Sequence, residues 1–310
     1  MHAVRFSAAI LDFQLNGTVY KIADTTIKKL DPDYVAVAWD KPKTNIRKRL
    51  EIYPQYKAGR KPAPPDFYAQ VPILHDLLQA FGWPLYELDD YEADDIMAGL
   101  AKKANAAGIE VVLVTGDYDS LQLLNKDTHV YLPQKGFSVE LFKEEAFETK
   151  YGIKVEQFID YKSLVGDTSD NIPGVPGIGA VAAKNLLNTY ATLDEIYDNI
   201  ELISGAVQKK LIAGKDSAYM SKELATMFID APIELDLEAL DVKKFDAAAL
   251  RAKLQELEFK SLVRQLPDVE QEIADGTAAA PTVSVQRSAT VRLVAPEAAD
   301  FANAKELYVY

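Results

Sequence analysis

Eight acidic residues between Asp40 and Asp170 fall into four short clusters: Asp40; Glu92, Asp94 and Asp95; Asp117 and Asp119; Asp167 and Asp170. Each cluster stands where a strand is expected to end or a helix to begin, and solvated surface acids are not distributed that way. Carboxylates from four chain segments repel one another unless cations lie between them, and a pair of divalent metal ions is the usual answer. The fold must therefore bring several element ends to one place, and the chemistry reads as metal-dependent phosphodiester hydrolysis.

The chain between the clusters alternates strand and helix. Tyr34-Val-Ala-Val-Ala-Trp39 is a short apolar run ending at Asp40, as expected of a buried parallel strand whose C-terminal end carries function. The apolar residues from Asp66 to Phe81 recur at helical spacing, and Gly82-Trp-Pro84 stops that helix. Leu85 to Leu88 reads as a strand, and Glu92 opens a helix running to about Ala107. Ile109 to Thr115 is the clearest buried strand and delivers Asp117 and Asp119 just beyond its end. The alternation predicts an α/β domain over residues 1–150 with a mostly parallel central sheet covered on both faces.

Composition narrows the metal. The 310 residues include no cysteine, which excludes thiolate sites, and only three histidines, His2, His75 and His129, which argue against a His-rich zinc site, so oxygen-ligated Mg²⁺ or Mn²⁺ is favoured. No apolar run approaches 18 residues and the Met1 region lacks a signal-peptide pattern, which makes the cytoplasm the default location and a membrane partner unexpected. The net charge of -13 argues at first sight against a polyanionic partner. However, Lys41, Lys43, Arg47, Lys48, Arg49, Lys57, Arg60 and Lys61 stand against the single acid Glu51 in one stretch. Its prolines and Gly59 rule out one continuous helix, so it reads as a mobile excursion. A basic segment beside an acidic metal cluster suits an enzyme that holds a nucleic acid over its metals. Trp39, Trp83 and Phe81 read as core aromatics, His75 as structural or exposed, and Glu234, Asp236 and Glu238 as a solvated face.

Beyond about Tyr151 the pattern is almost wholly helical, with helices expected over Val155–Leu164, Ala180–Tyr190, Leu193–Asn199, Ala206–Ala213 and Asp246–Phe259. Gly166-Asp-Thr-Ser-Asp-Asn-Ile-Pro-Gly-Val-Pro-Gly-Ile-Gly179 cannot be helix interior, yet Ala180 onward is an excellent helix former. This is a glycine hairpin between helices, either an ordinary tight turn or a place where backbone amides and a helix N-terminus meet phosphate. Residues 151–267 thus form a helical region. The tail 268–310 is linker-like over Gln271–Thr290 and ends in a segment too short for a domain, as if truncated.

Tyr91-Glu-Ala-Asp-Asp-Ile96, Thr115-Gly-Asp-Tyr-Asp119 with Gln122-Leu123, the glycine hairpin, Tyr53-Pro-Gln-Tyr-Lys-Ala-Gly-Arg60 and Glu256-Leu-Glu-Phe259 together resemble the 5′-nuclease domain of bacterial DNA polymerase I, a relative of phage 5′-nucleases and flap endonucleases. The resemblance extends from about Gly17 to Leu266. It implies a PIN-like, resolvase-like sheet with a helical arch over 41–66 and a helix-three-turn-helix element at the hairpin. It assigns Asp40, Glu92, Asp94, Asp95, Asp117 and Asp119 to the first metal, directly or through water, and Asp167 and Asp170 to the second. Glu92 and Asp95 lie three apart, so a helix would turn both toward one site. Tyr56, Lys57 and Arg60 match arch residues that meet a single-stranded 5′ end, Lys57 approaching the scissile phosphate as a catalytic cation with Arg60 beside it. Gly174, Gly177, Ile178 and Gly179 match the duplex-gripping element, which in this family often holds a monovalent cation such as K⁺. The implied partners are DNA with a 5′ flap or a single-stranded 5′ end and RNA primers on DNA, handled by a monomer.

Two departures from the family pattern stand out. The family opens with a strand ending in a metal-ligating Asp about twenty-five residues before the match to Gly17-Thr-Val-Tyr20, and Met1-His-Ala-Val-Arg-Phe-Ser does not look like that strand. The expectation is that this strand is lost, exposing a sheet edge, with Asp12 after Ala8-Ala-Ile-Leu11 as a substitute at the wrong spacing. After the hairpin the family commonly has Glu-Lys-Thr-Ala where this chain has Ala180-Val-Ala-Ala183, so a basic and a hydroxyl phosphate contact are missing, with Lys184 as the available replacement. Three functions follow from these readings: an active 5′-nuclease, a catalytically weakened relative that binds branched DNA, and an RNA-cutting enzyme of the PIN type. The hairpin, a duplex-DNA element, disfavours the third.

Overall fold

A computed structural model of the chain describes residues 7–12, 30–133, 139–264 and 266. His2, Gly17 to Tyr20 and the tail 268–310 lie outside them. Through Ala106 the elements are β1 Ser7–Asp12, β2 Tyr34–Ala38, α1 Arg47–Ile52, α2 Pro65–Ala80, β3 Leu85–Tyr86 and α3 Ala93–Ala106. Next come β4 Glu110–Val114, β5 Thr128–Pro133, β6 Val139–Phe142, α4 Glu144–Tyr151, α5 Phe158–Val165 and α6 Ala180–Tyr190. The described chain closes with α7 Leu193–Asp198, α8 Gly205–Ala213, α9 Lys215–Ala225, α10 Ala247–Glu256 and α11 Lys260–Val263.

The sheet order is β3-β2-β1-β4-β5-β6, parallel except for β6, which pairs antiparallel with β5. This corrects the expectation of a lost first strand. Ser7–Asp12 fills the slot between β2 and β4, pairing Ala8 with Tyr34 and Val111, and Asp12 with Ala38. The short run Ala8-Ala-Ile-Leu11 is compact and apolar, as a strand flanked on both edges requires. Asp12 thus ends its strand at the same sheet edge as β2, two residues short of the level of Asp40.

Strands β2, β4 and β5 bury alternate residues on opposite faces. Ala36, Ala38, Val111, Leu113, Val130 and Leu132 meet α3 through Ile96, Met97 and Leu100, while Val35, Val37, Val114 and Tyr131 meet Leu74 and Leu78 of α2 with Trp83. Burying a side chain the size of Leu100 contributes roughly 1.5–3 kcal/mol. The α3-side core continues without a break into Leu164, Leu187 and Leu211 of the helical region. Trp39 and Trp83 are buried, Phe81 stacks on Trp83, and His75 lies edge-on to Trp39 at 4.6 Å, all in keeping with the sequence pattern.

Residues 41–60 are anchored, in contrast to the mobile excursion expected. Leu50 of α1 and the residues that flank the helix, Ile46 and Tyr53, recur at helical spacing and pack with Tyr56 against Ile172, Met220, Leu224 and Ala225. That apolar stripe within a basic segment is what ties it to the helical region.

At the hairpin, Gly166 and Gly174 approach each other so closely that a Cβ on Gly174 would stand 2.3 Å from the Gly166 nitrogen, with φ at +62°. Gly179 has ordinary φ and open space around its Cβ position. Gly174→Ala is therefore expected to destabilise the fold by on the order of 3 kcal/mol, and Gly179→Ala by under about 1 kcal/mol. Urea unfolding of the two variants checks the contrast.

Candidate active site

The four acidic clusters meet at the C-terminal edge of the parallel strands. Asp40 follows β2, and its Oδ1 accepts from the Ala93 amide and from Asn45 Nδ2, both at 2.9 Å. Glu92 is the N-cap of α3 and forms a reciprocal capping box with Asp95. Asp94 is half-buried in the first turn of α3. Asp117 follows β4 and caps the 3₁₀ turn Tyr118–Leu123, accepting from the Asp119 amide at 2.8 Å. Asp167 and Asp170 lie in a turn closed by paired backbone bonds between Asp167 and Ile172, where Asn171 takes a left-handed conformation with φ of 57°.

Basic side chains cross-link these acids. Lys57 donates to Glu92 and lies 3.6 Å from Asp170 Oδ2, and Arg60 reaches Asp170 Oδ1 at 2.6 Å. Lys162 of α5 donates to both Asp119 and Asp167, the latter at 2.7 Å. Lys57, itself left-handed at φ 55°, also donates its amide to the Asp170 carbonyl at 2.9 Å, and Asn171 Nδ2 reaches the Gln55 carbonyl at 2.6 Å. The arch segment is thus clipped to the hairpin turn by main chain as well as by charge.

The electrostatics follow from burial. Desolvation raises Glu92 above the usual carboxylate range, against the pull of Lys57 and Arg49. Burial, then the neighbouring Asp117, pushes Asp119 up to about 6 even with Lys162 in contact. Burial also acts to raise Asp167, but Lys162 and Ser169 outweigh it and bring that carboxyl down to about 2. For Lys57 and Lys162, the attraction of their carboxylates exceeds the cost of desolvation, and both are raised.

Three residues have roles other than those expected. Asp95 is fully buried and accepts two bonds from Arg49 at 2.7 and 2.8 Å, one from the Glu92 amide and one from the Phe228 amide. Its lone pairs are engaged, so it anchors structure instead of turning toward a metal. Glu92 and Asp95 do converge, but on Arg49, whose NH1 lies 3.1 Å from Glu92 Oε2. Tyr56 is only 4% exposed and presents no face to a nucleic acid; its hydroxyl donates to Glu92 and Asp170 at 2.9 and 3.1 Å. Gly174 uses its amide on Ser221 Oγ and its carbonyl on Ser217 Oγ, so it shapes the turn and has no amide to offer a phosphate.

Elsewhere in the hairpin, Ile178 is buried in the core, while Gly177 and Gly179 are exposed just before α6. The first amides of a helix have no intrahelical partner and favour anions. Lys184 sits 5.9 Å from the Tyr151 ring, whereas Lys210, which the sequence pattern does not single out, places Nζ 2.9 Å from the Gly177 carbonyl. Arg49 and Lys162 are likewise site residues that the sequence pattern does not single out. Their one signal is position: Arg49 lies on the apolar stripe with Ile46, Leu50 and Tyr53, and Lys162 is one turn beyond buried Phe158.

The residues suit divalent cations by their chemistry. Eight carboxylates face the buried or half-buried cations Arg49, Lys57 and Lys162 and the exposed Arg60, leaving four negative charges, the complement of two divalent ions. Among the described residues no three acidic or histidine side chains stand close enough together to hold an ion; Glu92 and Asp170 are drawn to Lys57, and Asp119 and Asp167 to Lys162.

A parallel sheet edge lined by carboxylates, with a basic arch and a glycine hairpin beside it, defines a nuclease-type fold and site. The family profile described as 5′-3′ exonuclease, N-terminal resolvase-like domain, matches residues 13–152, and that described as 5′-3′ exonuclease, C-terminal SAM fold, matches residues 153–248. The chain belongs to the 5′-3′ exonuclease family. It is 42% identical over 256 residues to DNA polymerase I of Caldicellulosiruptor bescii, covering 81% of this chain and 30% of that protein. It is 40% identical over 255 residues to DNA polymerase I of Bacillus subtilis, covering 81% of this chain and 29% of that one. The chain thus spans about a third of the length of the relatives it matches. Among solved structures, a mutant of T5 5′-exonuclease matches with TM-score 0.61 and 20% identity over 82% of this chain and 99% of that one. The catalytic core of Rad2 in complex with DNA substrate matches with TM-score 0.54 and 15% identity over 81% and 87%. These two share the fold. The first family match begins at residue 13, so β1 lies outside it.

Proposed function

We propose that this chain is a structure-specific 5′-nuclease that hydrolyses DNA phosphodiesters at 5′ ends, flaps or primers, using two divalent ions, Mg²⁺ or Mn²⁺, and acting as a monomer. The observation that carries this reading is the convergence of acids from four segments at one sheet edge, directly against Lys57 and Arg60. Relatives named DNA polymerase I and neighbours crystallised with DNA and metal ions support it. In this reading residues 1–150 carry the chemistry, 151–267 grip DNA, and 268–310 are a linker.

Asp40, Glu92, Asp94, Asp117 and Asp119 would hold one ion, directly or through water, and Asp167 with Asp170 the other. When bound, the ions acidify a water and neutralise charge on the phosphate. Lys57 and Arg60 exchange their carboxylate partners for non-bridging phosphate oxygens and donate to the charge that develops there. Tyr56 holds Glu92 and Asp170 in place through its hydroxyl. Gly177, Gly179, the N-terminus of α6, Lys184 and Lys210 receive duplex phosphates, with K⁺ as the monovalent ion at the hairpin.

The test is cleavage of a 5′-flap substrate with Mg²⁺, the wild-type chain run beside Asp12→Ala. Cleavage by wild type that Asp12→Ala abolishes makes Asp12 the first-strand ligand. Cleavage that survives the change shows that the remaining acids suffice. Flap binding without hydrolysis by wild type would sink the enzyme reading and leave a branched-DNA-binding protein.

A further inference from the structure

Lys162 joins the two halves of the acidic cluster from within the core. It lies on α5 among buried Phe158, Ser163 and Leu164, and its side chain is 8% exposed. The carboxylates it bridges come from different segments, Asp119 from the loop beyond β4 and Asp167 from the hairpin turn. Unlike Lys57 and Arg60, it is not on the arch, and its backbone is fixed inside a helix that packs on α6 and α9. One ammonium therefore stands between two acids that would otherwise repel.

We propose that Lys162 is an internal counter-ion that holds Asp119 and Asp167 together in the metal-free protein and competes with a divalent cation for them, thereby setting how weakly the site binds metal. The inference rests on the nuclease reading above. An ion that draws on Asp119, or the other ion drawing on Asp167, competes with Lys162 for that carboxylate, so part of its binding energy is spent on weakening the ion pair. Lys162 is a positioning residue, acting on the reaction only through the two acids.

The experiment is calorimetric titration of Mn²⁺ into the full chain, the Lys162→Met and Lys162→Arg variants, and Asp119→Ala, with melting temperatures recorded without metal and at saturation. Lys162→Met is expected to bind Mn²⁺ on the order of tenfold more tightly and, metal-free, to melt about 2–4 °C lower, with the deficit removed by saturating Mn²⁺. Lys162→Arg keeps the charge and should stay within about threefold of wild type. Mn²⁺ affinity equal to or weaker than wild type in Lys162→Met, with wild-type binding intact, would overturn the competition alone. Absence of Mn²⁺ binding in every protein, wild type included, would overturn the nuclease reading and the competition together.

Discussion

Asp117→Ala is expected to remove flap cleavage while leaving duplex binding within a fewfold of wild type. Metal stabilisation of transition-state charge is worth several kcal/mol, which at about 1.4 kcal/mol per tenfold corresponds to a loss on the order of a thousandfold. The position matters because β4 is a fully paired strand and Asp117 is held just beyond it, its amide donating to Thr115 Oγ1 at 3.0 Å. Alanine also removes the cap on the Tyr118–Leu123 turn, a stability cost of about 1 kcal/mol. Asp117→Asn separates the two effects, since its side-chain oxygen can still accept from the Asp119 amide without the charge. Single-turnover rates for both variants should fall alike; an Asn variant that cleaves at near wild-type rate would mean that Asp117 serves the turn and not the chemistry.

The second large effect is on stability. Arg49, 3% exposed, bonds to both oxygens of Asp95 and to the carbonyls of Leu224 and Thr226, each of the latter at 3.2 Å. Removing one partner of a buried pair leaves the other charged and unsolvated, so Arg49→Ala should cost about 3–5 kcal/mol. Arg49→Met combined with Asp95→Leu, which removes both charges, should recover much of that loss in urea unfolding at neutral pH. A double variant no more stable than Arg49→Ala would show that the pair's packing and backbone contacts, and not the orphaned carboxylate, dominate.

What is legible in the sequence is whatever short-range chemistry dictates. The β-branched run ending at Thr115 announces β4, Glu92 announces the start of α3, and the bounds of α6 read correctly because glycine precedes it and a helix-forming run follows. The acids at the strand ends are visible since a buried strand can release charge only beyond its end. Strands β5 and β6 escape such a reading: Thr128-His-Val-Tyr-Leu-Pro133 mixes polar and apolar residues, and β6 is an antiparallel edge strand whose pairing depends on a neighbour. Arg49, Lys162 and Tyr56 escape it for a shared reason. Each is a polar residue buried by partners supplied from elsewhere, as with Asp95 for Arg49 and Glu92 and Asp170 for Tyr56. Local pattern treats such residues as solvent-facing, and only tertiary pairing pulls them inside. Strand β1 is obscured because its neighbourhood departs from the family pattern, yet backbone pairing on both edges asks only for a short apolar run.

The clip between arch and hairpin also dictates when the site can exist. Lys57 is fastened to Asp170, Gln55 to Asn171, and Arg49 to the carbonyls of Leu224 and Thr226. During synthesis Arg49, Lys57 and the strand-borne acids emerge first, while Lys162, Asp170 and the carbonyls of Leu224 and Thr226 are still to be translated. Contacts separated by more than a hundred residues form late, and domains that depend on them stay open until the distal part arrives. The nascent chain therefore holds its strand-borne acids without Lys162, the hairpin or the α9 carbonyls until those residues emerge, and catalytic geometry is acquired only when residues past Thr226 have joined the fold.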